Sequence, residues 1–178
     1  MSEELKVINP ANRQEIDRVK KDSVEEIERK VKRGHEKFLE FKKVNAHKRA
    51  ELLFKWADKI DENKEEIAKL VTLEGGKPYA EALGEVEYAN SYIKYYAEEA
   101  KRIYGRTVPS DKDNNRIVVT RHPIGLVAAI TPWNFPVAMM ARKAAPAVAA
   151  GNTFIVKPAS ATPLSAMKFI DLALDAGF

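Results

Sequence analysis

The 178-residue chain has no cysteine. That absence excludes disulfides, thiolate metal ligands and a cysteine nucleophile within these residues. It also has no apolar run approaching the roughly 20 residues that a membrane span needs, because Pro, Arg, Lys or Asn interrupts each one. The opening stretch MSEELKVINP is charged and carries no apolar signal-like core, so the sequence reads as a soluble, cytoplasmic protein without a membrane partner. Histidine is scarce, and none of His35, His47 and His122 has a second ligand at metal-binding spacing. No metal site is expected. Charge of one sign is not concentrated either. The formal charge is +4 and the pI about 9.1, but acids and bases interleave across residues 23–43. Glu25 precedes Arg29, Glu26 precedes Lys30 and Glu28 precedes Lys32, the favourable i,i+4 order on a helix. A solvated, ion-paired face accounts for this better than a nucleic-acid surface, which needs its basic residues on one side.

What is present is an ordinary globular composition, 45% hydrophobic and 31% charged, whose patterning changes along the chain. Residues 1–105 read mainly as helix. SVEE, at Ser23 to Glu26, has the form of a capping box, and Val24, Ile27, Val31, Phe38 and Phe41 follow at approximately helical spacing. A second helix is predicted from Asn45, burying Leu52, Leu53, Trp56 and Ile60. A third is predicted from about Asn63 through Ile67, Leu70 and Val71 to a stop at Gly75 and Gly76. A long fourth starts with Pro78 in its first turn and closes at Gly105. Tyr92, Tyr95, Tyr96 and Tyr104 on that helix read as partly buried packing residues rather than a base-stacking platform.

Residues 106–121, RTVPSDKDNNRIVVTR, read as a β-hairpin arm around the turn-forming SDKDNN. From residue 122 to residue 178 strand and helix alternate. IGLVAAI is predicted as a buried strand, PVAMMARKAAPAVAAG as a helix stopped by Gly151, TFIV as a strand, and PLSAMKFIDLALDAG as a helix stopped by Gly177. The expected fold class is therefore α/β: a helix-rich amino-terminal region, a hairpin arm and a partial doubly wound parallel sheet. Ligands of such a sheet lie outside the carboxyl ends of its strands. Two unusual loops, TPWNFP and KPASATP, fall at those ends. A simple turn gains nothing from an indole beside an amide, so TPWNFP specifies more than a turn.

The run GLVAAITPWNFPVAMMARKAAPAVAAGNTFIVKPASATPLSA resembles the cofactor-binding region of the aldehyde dehydrogenase superfamily, with PWNFP, RKAAPAVAAGNT and KPAS in order and at the family's spacing. VINPAN near the start and LEGGKPYAEALGEV at Leu73 to Val86 are similar to the family's amino-terminal strand region and helix. Among the branches, succinate-semialdehyde dehydrogenases are the most similar. The resemblance implies a cysteine thiolate attacking an aldehyde, an asparagine amide stabilising the resulting oxyanion, hydride transfer to a nicotinamide cofactor, and hydrolysis of a thioester. Asn134 matches the oxyanion donor. Thr131, Trp133, Asn134, Lys157, Pro158, Ala159 and Ser160 match cofactor-binding positions, with Lys157 at the adenosine ribose. Lys143 matches a lysine near the catalytic core. Arg142 reads either as a helix-surface arginine satisfied by an acid or as the arginine that binds the distal carboxylate of succinate semialdehyde.

Many NAD-using members carry a glutamate at the position of Ser160. A serine removes the repulsion of a 2′-phosphate, so NADP is the expected preferred cofactor, with NAD also used. The family's nucleophile, water-activating glutamate and second glycine-bearing turn lie further along than LALDAGF. The sequence is accordingly read as an amino-terminal part: 1–105 the helical part of the cofactor-binding domain, 106–121 the hairpin of the oligomerisation region, 122–178 the first two βα units, and the catalytic domain absent. On this reading the chain is inactive alone and, with apolar strands left uncovered, does not behave as an ideal monomer. A small-molecule aldehyde is the expected substrate, and a homo-oligomer the expected assembly. Two alternatives stand beside it: a non-catalytic assembly module of the same fold, and a basic nucleic-acid-binding protein.

Overall fold

Ser23 begins the first long helix as its sequence predicts. Its hydroxyl accepts the Glu26 amide at 3.3 Å while the Glu26 carboxylate accepts the Ser23 amide at 2.9 Å, so two orphan donors are satisfied reciprocally. The computed structural model describes residues 3–178. The elements are β1 (Glu4–Ile8), β2 (Glu15–Lys20), α1 (Val24–Phe41), α2 (Ala46–Gly75), α3 (Tyr79–Glu99), β3 (Arg106–Val108), β4 (Ile117–Val119), β5 (Leu126–Ile130), α4 (Ala138–Ala149), β6 (Thr153–Lys157) and α5 (Pro163–Asp175). The strands form three separate pairs: β1 with β2 and β3 with β4 antiparallel, and β5 with β6 parallel. The β3–β4 hairpin and the parallel pair are the expected ones. The β1–β2 hairpin adds a strand, β2, that alternating charges in EIDRVK conceal.

The predicted break at Asn63 is absent, and one continuous helix runs from Ala46 to Gly75. Asn63 does not cap; its side-chain amide donates to the carbonyl of Lys59 one turn back at 2.8 Å, which satisfies it inside the helix. Asn45 does cap, accepting the Lys48 amide at 3.0 Å. Gly76 ends the helix with φ +71°, a conformation glycine takes without steric cost. Pro78 sits at the N-cap of α3 rather than in its first turn, and the helix gives way to a 3-10 turn at Ala100–Arg102 before Gly105. The i,i+4 ion pairs on α1 also differ from expectation. Lys30 pairs with Asp22, and Arg29 donates to the Glu25 carbonyl; all remain solvent-facing.

α2 and α3 pack as an antiparallel pair whose core, with α4 and α5, is rich in alanine: Ala57, Ala68, Ala82, Ala89, Ala141 and Ala145 are fully buried. Small residues let helix backbones approach closely and leave the large side chains to fill the centre. Trp56 is the largest of these. Its indole lies 5.0 Å from the Phe169 ring and donates to the Phe169 carbonyl at 3.0 Å. Tyr92 and Tyr96 are partly buried against this core, as expected, whereas Tyr95 and Tyr104 are exposed.

The strand IGLVAAI is not buried as predicted: within it only Gly125 and Ala129 are, and Ile130 is 77% exposed. The reason is the cover. On one face, α1 reaches the start of the pair, where the Thr153 hydroxyl donates to the Gly34 carbonyl at 2.8 Å. A β-carbon at Gly34 would lie 2.9 Å from the Leu126 side chain, so glycine permits this approach. Nothing among the described residues covers the other end of that face, at Ile130. The opposite face, through Phe154 and Val156, rests on the helical core. Replacing Trp56 with alanine is expected to cost about 3–5 kcal/mol, as for other buried aromatics, read as a lowered urea midpoint; Trp56→Phe, which keeps the ring contact, should cost only about 1 kcal/mol.

Candidate functional site

Neither α4 nor α5 has a side-chain cap from its own N-cap residue, Val137 or Thr162. Both caps come from far away in sequence. Glu85, on the first turns of α3, accepts the amides of Val137 at 3.0 Å and Ala138 at 3.2 Å. Glu74, in the last turn of α2, accepts the amides of Leu164 at 2.7 Å and Ser165 at 2.9 Å, and the Ser165 hydroxyl. Both glutamates are buried. A negative group at a helix N-terminus satisfies orphan amides and complements the helix dipole. The α2–α3 corner thus fixes where both βα loops end.

The loops themselves are tied to each other. The Thr131 amide donates to the Lys157 carbonyl at 3.2 Å, and the Thr162 hydroxyl reaches the Trp133 carbonyl at 3.4 Å. Below them, the buried Asn152 side chain accepts the amides of Ile124 and Gly125 and donates to the Ala147 carbonyl. It joins the start of β5 to the end of α4. The sequence-predicted residues Thr131, Trp133, Asn134, Lys157, Pro158, Ala159 and Ser160 all fall on this loop pair. Asn134 is exposed, with its carbonyl held by Lys77 Nζ at 2.9 Å and its side-chain amide bonded to no described residue. Lys157 and Ser160 are exposed, and their side chains likewise have no partner among the described residues. Trp133 is 62% exposed, and the buried Thr131 hydroxyl has no hydrogen-bond partner among the described residues.

Arg142 and Lys143 are not brought into contact with the loops. Lys143 donates to the Met139 carbonyl of its own helix at 3.3 Å. Arg142 turns toward α3, where Nε donates to the Tyr92 hydroxyl at 3.1 Å and Nη2 to the Tyr88 hydroxyl at 3.1 Å, with the guanidinium 5.1 Å from the Tyr92 ring centre. No carboxylate pairs with it among the described residues, so the surface-arginine reading that requires an acid has none. The Tyr88 hydrogen bond first, then the guanidinium, lowers the Tyr92 phenol below its ordinary range. Sequence reasoning missed Lys77, Glu74, Glu85 and Asn152 as site-building residues. Glu74, Lys77 and Glu85 lie in the stretch LEGGKPYAEALGEV and Asn152 in RKAAPAVAAGNT, so the family-like motifs contained them, but nothing in either stretch indicated which distant amides they would hold. Surface hollows of about 440 and 240 Å³ lie elsewhere, lined by residues such as Lys21 and Arg29, or Tyr95 and Pro146; the loop pair is an open platform.

The model of the Aldehyde dehydrogenase family matches residues 1–178. A 3-sulfolactaldehyde dehydrogenase of Pseudomonas putida is 48% identical over 175 residues, 98% of this chain and 36% of that protein. The NADP(+) succinate-semialdehyde dehydrogenase GabD of Escherichia coli is 45% identical, again over 98% of this chain and 36% of its own length. The crystal structure of an aldehyde dehydrogenase from Brucella melitensis biovar abortus superposes with a TM-score of 0.98 at 48% identity, covering 99% of this chain and 36% of that one. The chain therefore spans about a third of the length of the relatives it matches. No helix among the described residues is long and apolar enough to cross a membrane.

Burial raises the Glu74 carboxyl above its ordinary value, against the pull of the hydrogen bonds it accepts. A carboxyl that binds its proton more tightly in the folded state favours folding at low pH, and this contribution is lost as pH rises from the unfolded value near 4.5 through the raised folded one. Glu74→Gln does not titrate. In urea unfolding at a series of pH values, the stability of the native chain relative to the variant should fall as pH rises through that window.

Proposed function

The chain belongs to the aldehyde dehydrogenase family, and from that premise we propose that it supplies the oxyanion-binding and adenosine-binding loops for NAD(P)-dependent oxidation of a short aldehyde with a distal anionic group. Succinate semialdehyde is the substrate we favour. The observation that carries this reading is Asn134: a free side-chain amide on a loop whose backbone is held at Asn134, Val137 and Ala138. Such a donor can be aimed at the oxygen that becomes anionic when a nucleophile adds to the aldehyde carbon. No cysteine is among these 178 residues, so turnover belongs to a protein in which this segment is joined to one. The activity is accordingly expected to be absent from the chain assayed alone.

The residues present fit a nicotinamide dinucleotide. Lys157, at the end of β6, offers an ammonium and Ser160, in the loop after it, a small hydroxyl, both without a partner among the described residues, while Trp133 presents an exposed indole in the loop after β5. When bound, a nicotinamide dinucleotide would supply the acceptor for the hydride leaving the substrate carbon. Lys157 would donate to the ribose and neutralise a 2′-phosphate, and Ser160 would leave room for that phosphate and donate to it. NADP preference is consistent with the E. coli relative's name. Arg142 reads the distal anion. Tyr88 and Tyr92 hold Nε and Nη2 of its guanidinium, and Nη1 has no partner among the described residues. Succinate semialdehyde and sulfolactaldehyde, named for two relatives, both carry such an anion. Assembly is proposed to be homo-oligomeric through the β3–β4 hairpin, whose Ile117, Val118 and Val119 are exposed.

The test joins this chain to the remainder of the E. coli relative and assays succinate semialdehyde with NADP. Asn134→Ala should lower kcat by about 10²–10³, the usual cost of losing one oxyanion donor; an unchanged kcat overturns the reading. Arg142→Ala should reduce kcat/KM for succinate semialdehyde by about tenfold or more beyond its effect on an uncharged aldehyde of equal length. Equal losses would remove the anion-reading role. Ser160→Glu should shift preference from NADP toward NAD, and an unchanged ratio assigns that choice to other residues.

A further inference from the structure

We infer that Lys77 is a positioning residue for Asn134, fixing the backbone from which the oxyanion donor projects; the inference rests on the oxyanion reading of Asn134. An ammonium has three N–H donors. Lys77 uses one in an ion pair with the Glu85 carboxylate and one on the Asn134 carbonyl, at 2.9 Å, and its charge stands 4.0 Å from the centre of the Phe135 ring. Its side chain is 15% exposed and that of Glu85 1%. Because Glu85 also accepts the Val137 and Ala138 amides, the pair grips the chain on both sides of Pro136.

The molecule contains its own control. Glu74 also accepts two amides at the start of α5, one on each carboxylate oxygen where Glu85 takes both on one, and has no lysine partner among the described residues; a serine hydroxyl is its third donor. A buried glutamate is thus sufficient to start a helix here, and Lys77 is surplus to capping. What the ammonium adds is a hold on Asn134 and Phe135, contacts that have no counterpart in the Lys157–Thr162 loop. Misplacing a reacting group by about 1 Å costs on the order of 10²-fold in rate, so a clamp at this carbonyl acts on a donor joined to the same backbone by one short side chain. Lys77 touches neither substrate nor cofactor in this scheme; it acts through the loop.

The experiment has an arm on the chain itself and an arm on the chimera. In the chain, backbone ¹⁵N relaxation should show Asn134 and Phe135 falling in Lys77→Met from rigid order parameters of about 0.85 to below about 0.6. Leu164 and Ser165, under the Glu74 cap, stay rigid and report that the fold is intact. Lys77→Arg should restore order at Asn134. Lys77→Gln, neutral and one bond shorter, so that it cannot bridge Glu85 and the Asn134 carbonyl, should lose order as Met does and serves where the Met variant fails to fold. Unchanged order at Asn134, or equal loss under both caps, overturns the proposal. In the chimera, Lys77→Met should lower kcat by about tenfold or more with KM for NADP unchanged, and Lys77→Met with Asn134→Ala should be no slower than Asn134→Ala alone. Multiplicative losses overturn it. An undamaged Asn134→Ala overturns the oxyanion reading itself, whereas an undamaged Lys77→Met beside a damaged Asn134→Ala overturns only the role of Lys77.

Discussion

Two buried carboxylates at one helical corner set the position of everything at the carboxyl ends of the parallel strands. Glu74 and Glu85 sit on either side of the turn that Gly76 makes possible, and each reaches across to the first amides of a helix more than fifty residues on. Burying a carboxylate is costly unless hydrogen bonds and charge compensate it. Here the compensation comes from the helix ends themselves, which would otherwise bury unpaired amides. Capping and carboxylate burial are therefore a single constraint: neither helix end nor either glutamate is stable without its partner.

The two corners differ in how the charge is met. Glu85 has a lysine and Glu74 has only neutral donors, which is why burial dominates at Glu74 and raises its carboxyl. The far end of α4 is treated with the opposite sign. Arg49, from α2, donates to the Ala149 carbonyl at 2.8 Å and also to the Val44 carbonyl. A cation at the C-terminus and an anion at the N-terminus complement the dipole of α4 at both ends. This leaves α4, the helix that follows the Asn134 loop, anchored by α2 and α3 rather than by its own strand. Dispersed alanines make that anchoring close, and Trp56 with Phe169 ties α5 to the same helix pair.

Features decided by neighbouring residues were legible in the sequence. The Ser23–Glu26 capping box, the Asn45 cap, the stops near Gly76, Gly151 and Gly177 and the parallel βα units all depend on a few consecutive residues, and they fold as they read, whereas α3 ends at Glu99, short of Gly105. Asn63 misleads because asparagine has two outcomes, capping a new helix or bonding back to the preceding turn, and only the packing of α2 on α3 selects the second. Burial of β5 was not readable, since a strand's exposure depends on what covers it, and α1 reaches only one end of that face. That both loops lie at the carboxyl ends of the parallel strands was readable from the pattern. The residues that hold those loops were not, because separations of 52 and 91 residues leave no periodic trace.

The glutamate caps carry a consequence for charge at this edge of the sheet. An uncapped helix N-terminus after a parallel strand attracts phosphate through its free amides and positive dipole end. In this protein both such ends are already liganded by internal anions, so a phosphate approaching α4 or α5 along its axis meets a carboxylate instead of a vacant donor pair. Anion recognition on this surface is thereby transferred from backbone to side chain. Its selectivity rests on residues that a single substitution can change, while the folded frame beneath them stays the same.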